Sequence, residues 1–238
     1  MSSRYTLRRE GRFYLDDRDW TGTEPYPRLF DCEGKRLYRF MDRIFSLKPI
    51  ACLSVAEVRE LCELRLRFES QIVRTDVYDA VAQAMLNVVR HCARGVVLDF
   101  GCGSGKFTRE ICKIDGVLAV SGCDISYEAL QLARDSGLNV CLVSHCGTLP
   151  FQTGSIDALT ACFVCHFELP VTVLHEIVRV VKPGGDIVIS RYGRAGTVER
   201  LKRQPGVQVV RERLVPKCTG HSVLHLRRNH GIGKDFGQ

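Results

Sequence analysis

Between residues 95 and 191, five short apolar runs at 96–100, 117–123, 139–144, 156–163 and 186–191 alternate with segments of helical length and pattern. None of the five interleaves polar with apolar positions, so each strand must be covered on both faces. A parallel sheet with helices packed on either side meets that demand, whereas antiparallel strands with one wet face would show the alternation. Helices are expected at about 105–114, 126–136 and 171–181, with a loop between the third and fourth strands. The chain is therefore read as α/β and doubly wound. After a short helix near 197–203, residues 207–215 and 222–228 do alternate, which suits an antiparallel hairpin at the sheet edge.

Upstream the pattern is different. Ser54-Val-Ala-Glu57 is a capping box that launches a helix to about Glu69, with Val58, Leu61 and Cys62 on one face. Asp76 is expected to cap a second helix to about His91, with Val77, Val81, Ala84, Met85 and Val88 at core spacing. The first fifty residues mix aromatics with charges, and Pro25, Pro27 and Gly34 break any long helix there. They read as irregular. The expected organisation is an N-terminal helical or irregular segment over 1–75, a main domain over 76–230 and a flexible tail over 231–238.

At 45% hydrophobic and 26% charged residues the composition is that of an ordinary globular protein. The N-terminal M-S-S-R-Y-T-L-R-R-E lacks the apolar segment of a secretory signal, and no apolar run reaches about 18 residues. A cytoplasmic location without membrane association is expected, with the twelve cysteines as reduced thiols. Cys112, Cys123, Cys141 and Cys162 sit in apolar runs as small core residues. Cys162 and Cys165 form the only C-x-x-C, and no second pair or suitably spaced His completes a zinc site, so no metal is expected. Charge is uneven. Residues 191–238 hold eleven Lys and Arg against three acids, while 76–190 hold eight against twelve. A basic end suits an anionic substrate or RNA, or else a solvated strand face.

The stretch 97–108, V-L-D-F-G-C-G-S-G-K-F-T, joins the first strand to the first helix, at the crevice where open α/β sheets bind ligands. A phosphate-cradling P-loop needs G-x-x-x-x-G-K-[ST]. Here Phe100 stands at the first glycine and Phe107 at the metal-binding hydroxyl. A dinucleotide fingerprint needs G-x-G-x-x-G, whereas Gly101, Gly103 and Gly105 are followed by Lys106. Asp99 would also repel a pyrophosphate. It would attract a cation, and S-adenosylmethionine carries a sulfonium, an ammonium and no phosphate. Asp99 is then placed to hold the amino group directly or through water, with Gly101, Cys102, Gly103 and Gly105 at the methionine end. Asp124, ending the second strand, suits the ribose hydroxyls, and Ile125 and Leu149 offer apolar surfaces to the adenine.

These residues resemble the glycine motif of the class I S-adenosylmethionine-dependent methyltransferases. Asp124 matches the family's acidic residue, L-P-F at 149–151 the segment before its fourth strand, S-I-D-A-L at 155–159 the start of that strand, and K-P-G-G at 182–185 the turn into its fifth. The resemblance covers about residues 75–230. It implies a Rossmann-like, doubly wound seven-stranded sheet, mostly parallel with an antiparallel edge hairpin, and methyl transfer by in-line displacement at the sulfonium methyl. One departure stands out: His145 lies where family members often carry an acid for the adenine amino group. A neutral imidazole can accept that bond more weakly, and backbone groups of Cys146 and Gly147 can serve as well.

The methyl acceptor is expected over the end of the fourth strand, at Phe163-Val-Cys-His-Phe-Glu168. His166 is the candidate base, with Glu168 orienting it or binding a cationic substrate; the alternative is that His166 only shapes the pocket. Phe163 is counted with the cofactor contacts. Cys165 lacks the Pro-Cys context of a covalent cytosine mechanism, and no N-P-P-Y tetrad follows the strand. Arg74 is a candidate partner for the cofactor carboxylate and Tyr78 a pocket residue. The aromatic N-terminal segment, with no core of its own, is expected to close over the mouth as a lid or to serve as a dimerisation arm. The acceptor is expected to be a small molecule in specialised metabolism, acted on by a monomer or homodimer. RNA or protein as substrate, and a catalytically silent cofactor-binding subunit, are the alternatives.

Overall fold

A computed structural model of the chain describes residues 7–16, 29–40, 43–68, 75–143, 147–193 and 196–230. The chain divides into two compact units, Met1–Thr75 and Asp76–Gln238.

Helix α2 (Thr75–Cys92) begins at the boundary and opens the larger unit from Asp76. It continues through β6 (Gly95–Phe100), α3 (Lys106–Ile111), β7 (Val117–Asp124), α4 (Tyr127–Asp135), β8 (Val140–Leu142), β9 (Ile156–Ala161), α5 (Val171–Val180) and β10 (Val181–Tyr192). α6 (Gly196–Lys202), β11 (Val207–Leu214) and β12 (His221–Arg228) complete it. The seven strands run in the order β11-β12-β10-β9-β6-β7-β8. Pairs among β6 to β10 are parallel, and β12 is antiparallel to both β10 and β11. This is the expected seven-stranded sheet with its edge hairpin. β6 pairs with β7 on one side and β9 on the other, so the winding reverses at β6 and opens a crevice beyond its carboxyl end.

Burial explains the missing alternation. Leu98, Leu159, Ile189 and Leu224 pack into the core on one face. Their sequence neighbours Val97, Ala158, Val188 and Val223 pack with Val81 and Met85 of α2 in the core on the other. Both faces being dry, successive residues are all apolar. Differences from expectation occur at edges and ends. β8 is described over three residues and pairs with β7 alone. β10 begins at Val181, so K-P-G-G lies inside the strand, and its pairing with β9 slips between Val181 and Asp186. α2 begins at Thr75, which puts Asp76 in the first turn rather than at the cap.

The smaller unit corrects the irregular reading of the first fifty residues. β1 (Leu7–Glu10), β2 (Phe13–Asp16), β3 (Leu29–Cys32), β4 (Lys35–Arg39) and β5 (Ile44–Ser46) form an antiparallel sheet in the order β1-β2-β5-β4-β3. Helix α1 (Val55–Arg67) follows with the expected capping box: Ser54 accepts from the Glu57 amide while Glu57 accepts from the Ser54 amide. The unit has a core of its own, in which Phe13, Leu37, Ile44, Phe45, Leu61 and Leu64 are buried. The strands escaped the pattern because they hold three to five residues each and all four positions of β2 are buried. No period-2 signal survives in so short a stretch.

Candidate functional site

The glycine loop closes on itself. The amides of Gly101 and Cys102 both donate to the Cys123 carbonyl (2.7 and 3.0 Å), and that of Gly105 donates to the Cys102 carbonyl (2.9 Å). The Gly103 amide donates to Oδ2 of Asp124 at 2.8 Å. Four loop amides are therefore occupied internally, and a loop built to cradle phosphate would aim them at its ligand instead. The two outer glycines differ from the central one. At Gly101 (φ +75°) a Cβ would run into Val164, whereas at Gly103 (φ +54°) it would meet nothing within 4 Å. Gly101 thus serves close packing against the segment after β9, and Gly103 bares the backbone to open space.

Asp124 stands opposite that opening. Its second oxygen accepts from the Ser126 amide at 2.9 Å, and the same Ser126 caps α4 through Ala129. The residue is half-buried. Ile125 is half-buried against the core. Leu149 is only 1% exposed, so it belongs to the interior rather than to an open adenine surface. Its amide donates to Glu176 and its carbonyl accepts from Arg179.

Asp99, expected to hold an amino group directly or through water, is turned inward. It is buried at 1% exposure, and its oxygens accept from the hydroxyls of Thr108 (2.7 Å) and Thr160 (2.8 Å). Those bonds tie the start of α3 and the strand β9 to the loop. Burial pushes the carboxyl up to about 6 against the pull of both hydroxyls, and the nearby charge of Asp124 adds to the rise. Cys102 is buried beneath the loop, and burial first, then Asp99 and Asp124, push its thiol up. Gly147 is buried against Val173 of α5. Arg74, His145 and Cys146 lie outside the described residues.

Beyond β9 the chain turns sharply. Phe163 adopts φ +55°, a left-handed conformation unfavourable for a bulky residue, and its amide donates to Oγ of Ser190 at 2.6 Å. Its ring stacks on Tyr78 (centroids 5.7 Å apart, planes at 17°) and meets the edge of His221 (5.8 Å, 68°). His166 is half-buried with its ring 4.2 Å from that of Phe167. Glu168 departs from its expected role. Its carboxylate pairs with Arg200 of α6 at 2.6 Å, and Arg200 also donates to the Leu169 carbonyl. Glu168 thus anchors α6, and its described contacts are with that helix rather than with His166.

Tyr192 and His221 were not legible as site residues. They face each other across β10 and β12, with ring centroids 4.6 Å apart. A lone Tyr and a lone His at strand ends carry no spacing signal; only the hairpin brings them beside Phe163. One described group can chelate a metal: Cys92, Asp186 and His225 offer ligand atoms within 4.8 Å of one another. Asp186 Oδ1, however, is already shared by His225 Nε2 (2.7 Å) and Arg227 Nε (2.9 Å). Asp186 is thus already held by Arg227 and His225, an arrangement that needs no metal ion.

Comparison with known proteins bears on the fold and the family. The family described as "Methyltransferase domain" matches residues 98–189. The chain is 40% identical over 98 residues to the demethylmenaquinone methyltransferase of Corynebacterium kroppenstedtii, covering 40% of this chain and 41% of that protein. It is 34% identical over 99 residues to the tRNA (carboxymethyluridine(34)-5-O)-methyltransferase of Arabidopsis thaliana, covering 40% and 23% respectively. The chain thus spans less than half the length of both. Among solved structures, a SAM dependent methyltransferase from Aquifex aeolicus shares the fold, with TM-score 0.51 and 21% identity over 60% of this chain and 89% of that one.

Proposed function

Since the chain belongs to the class I S-adenosylmethionine-dependent methyltransferases, we propose that it transfers a methyl group from S-adenosylmethionine to a small-molecule acceptor. The observation that carries this reading is the inward turn of four loop amides together with the half-buried Asp124 carboxylate facing the bare backbone of Gly103. Such a site offers carboxylate and open backbone, which suit a phosphate-free cationic nucleoside. When bound, the cofactor supplies an already activated methyl electrophile, so the protein need mainly align and desolvate. Asp124 holds the ribose hydroxyls, and Gly101, Cys102, Gly103 and Gly105 shape the methionine end. Asp99 acts through its charge and by bracing the loop. Phe163 walls the cofactor side of the acceptor region. His166 accepts the acceptor's proton where the acceptor is a hydroxyl or protonated amine.

The second reading is an RNA acceptor, which the similarity to a tRNA methyltransferase and the basic C-terminal segment favour. Much of that basic charge is matched internally. Arg191 and Lys202 pair with Glu199 and Glu212, Arg200 with Glu168, and Arg227 with Asp186. Arg228 donates to the carbonyls of Val178, Arg179 and Val181. Among the described residues Arg203, Arg211, Arg213 and Lys217 remain exposed, a thin footprint for a polyanion. Calorimetry with S-adenosylmethionine, ATP and NADH tests the cofactor, and radiolabelled methyl transfer into fractionated metabolites and RNA tests the acceptor. Binding of ATP or NADH in place of S-adenosylmethionine would remove the proposal. Label in RNA alone would select the second reading.

A further inference from the structure

Four rings from four separate elements meet at the carboxyl end of the sheet: Tyr78 from α2, Phe163 after β9, Tyr192 ending β10 and His221 opening β12. Val164, beside Phe163, packs on the glycine loop at Gly101, so this wall adjoins the cofactor region directly. Phe163 is held there at φ +55° by its bond to Ser190, a strain that only the surrounding structure can sustain. The position of that ring therefore depends on long-range contacts, and strain of this kind gathers at functional sites. The two nitrogens of His221 differ. Nδ1 is sealed from solvent without a hydrogen-bond partner among the described residues, whereas Nε2 is not sealed. The backbone of His221 is satisfied, donating to Cys218 and accepting from Val215, so the ring alone is left incomplete.

A buried orphan lone pair is cheaper than a buried orphan N–H. The neutral tautomer with its proton on Nε2 is therefore favoured, and protonating the ring would bury an unsatisfied N–H at Nδ1. Burial lowers the basicity of this imidazole, in agreement. Among the described residues the titratable side chain against its ring is Tyr192 across the hairpin, with Tyr78 beyond Phe163. His221 is thus a neutral ring that presents one donor from within an aromatic wall. Aromatic faces favour flat conjugated partners, and a donor fixed among them selects a ligand with an oxygen at the matching position.

We propose that Tyr78, Phe163, Tyr192 and His221 form the acceptor subsite, and that it takes a planar conjugated ring bearing a phenolic or enolic oxygen held by His221 Nε2–H. The proposal rests on the methyltransferase reading and adds to it the acceptor's chemical class and an orienting residue outside the sequence motifs.

The test is binding to the full chain saturated with S-adenosylhomocysteine, using 2-naphthol and its oxygen-free analogue naphthalene as probes, read by calorimetry and by the imidazole ¹H–¹⁵N signals of His221. Wild type should bind 2-naphthol about tenfold or more tightly than naphthalene, the worth of one hydrogen bond, with the His221 signals shifting only for 2-naphthol. His221→Gln, which keeps an N–H donor at a similar reach, should retain most of the preference. His221→Phe should bind both probes alike, and Tyr78→Leu should weaken both. Equal affinities in wild type, a preference surviving in His221→Phe, or no 2-naphthol binding while S-adenosylhomocysteine binds would overturn the proposal. Failure of S-adenosylhomocysteine to bind wild type would instead remove the methyltransferase reading beneath it.

Discussion

Replacing Asp99 by Asn separates the structural cost of the loop carboxylate from its charge. In the native chain the carboxyl is buried, accepts from Thr108 and Thr160, and has its pKa raised from 3.8 to about 6. A folded value above the unfolded one means that the native state holds the proton more tightly. The associated stability is complete below about pH 4 and is lost as pH rises through about 6. Between pH 5 and pH 8 wild type should therefore lose stability on the order of 1 kcal/mol at this site. Asp99→Asn cannot ionise, so its stability relative to wild type should climb by that amount from pH 5 to pH 8. The fit of the amide between the two hydroxyls sets only a constant offset. Urea unfolding followed by circular dichroism at several pH values gives the difference directly. A flat difference would show that the hydroxyl bonds cancel the burial, and a falling one that they outweigh it; either result refutes the account of the buried acid.

Three further outcomes follow from the same geometry. Asp124→Ala should weaken S-adenosylmethionine binding by roughly 1.5–3 kcal/mol, the scale of a lost charge-assisted bond, and an unchanged Kd in calorimetry would remove the ribose role. Gly103→Ala has room for its methyl and should cost only about 1–2 kcal/mol in backbone strain, yet lose cofactor affinity. Gly101→Ala must displace Val164 as well and should lower the melting temperature further; comparable cofactor affinity in Gly103→Ala and wild type would show that no ligand approaches that backbone. His166→Ala should lower turnover about a hundredfold if the imidazole takes the proton. Glu168→Gln, which loosens only a half-exposed pair with Arg200, should leave the pH profile of turnover in place, and a shifted profile would return Glu168 to the chemistry.

The parts of the site that were legible share one property: each is written in consecutive residues. Asp99, Gly101, Gly103 and Gly105 sit within one loop, and Asp124 ends the next strand, so the strand-loop-helix unit brings them together once the winding is known. Sequence reading was blind where a side chain's partner lay far along the chain. One of the two bonds that hold the Asp99 carboxylate comes from Thr160, 61 residues away. Glu168 was read as a partner of His166 or of a cationic substrate, and Arg200 pairs with it from 32 residues on. The first fifty residues looked irregular because their strands are too short for a period to emerge, and burial on both sides removed what alternation remained.

The sequence by itself determined the doubly wound sheet, its edge hairpin and the crevice at β6, because two-sided burial and helix-length spacing are local statistics of the chain. Tertiary structure alone decided which way the carboxylates point, which amides remain for a ligand, and that Tyr78, Phe163, Tyr192 and His221 share one wall. Those features depend on hydrogen bonds and ring contacts between elements tens of residues apart. Their geometry exists only after the strands have found their order.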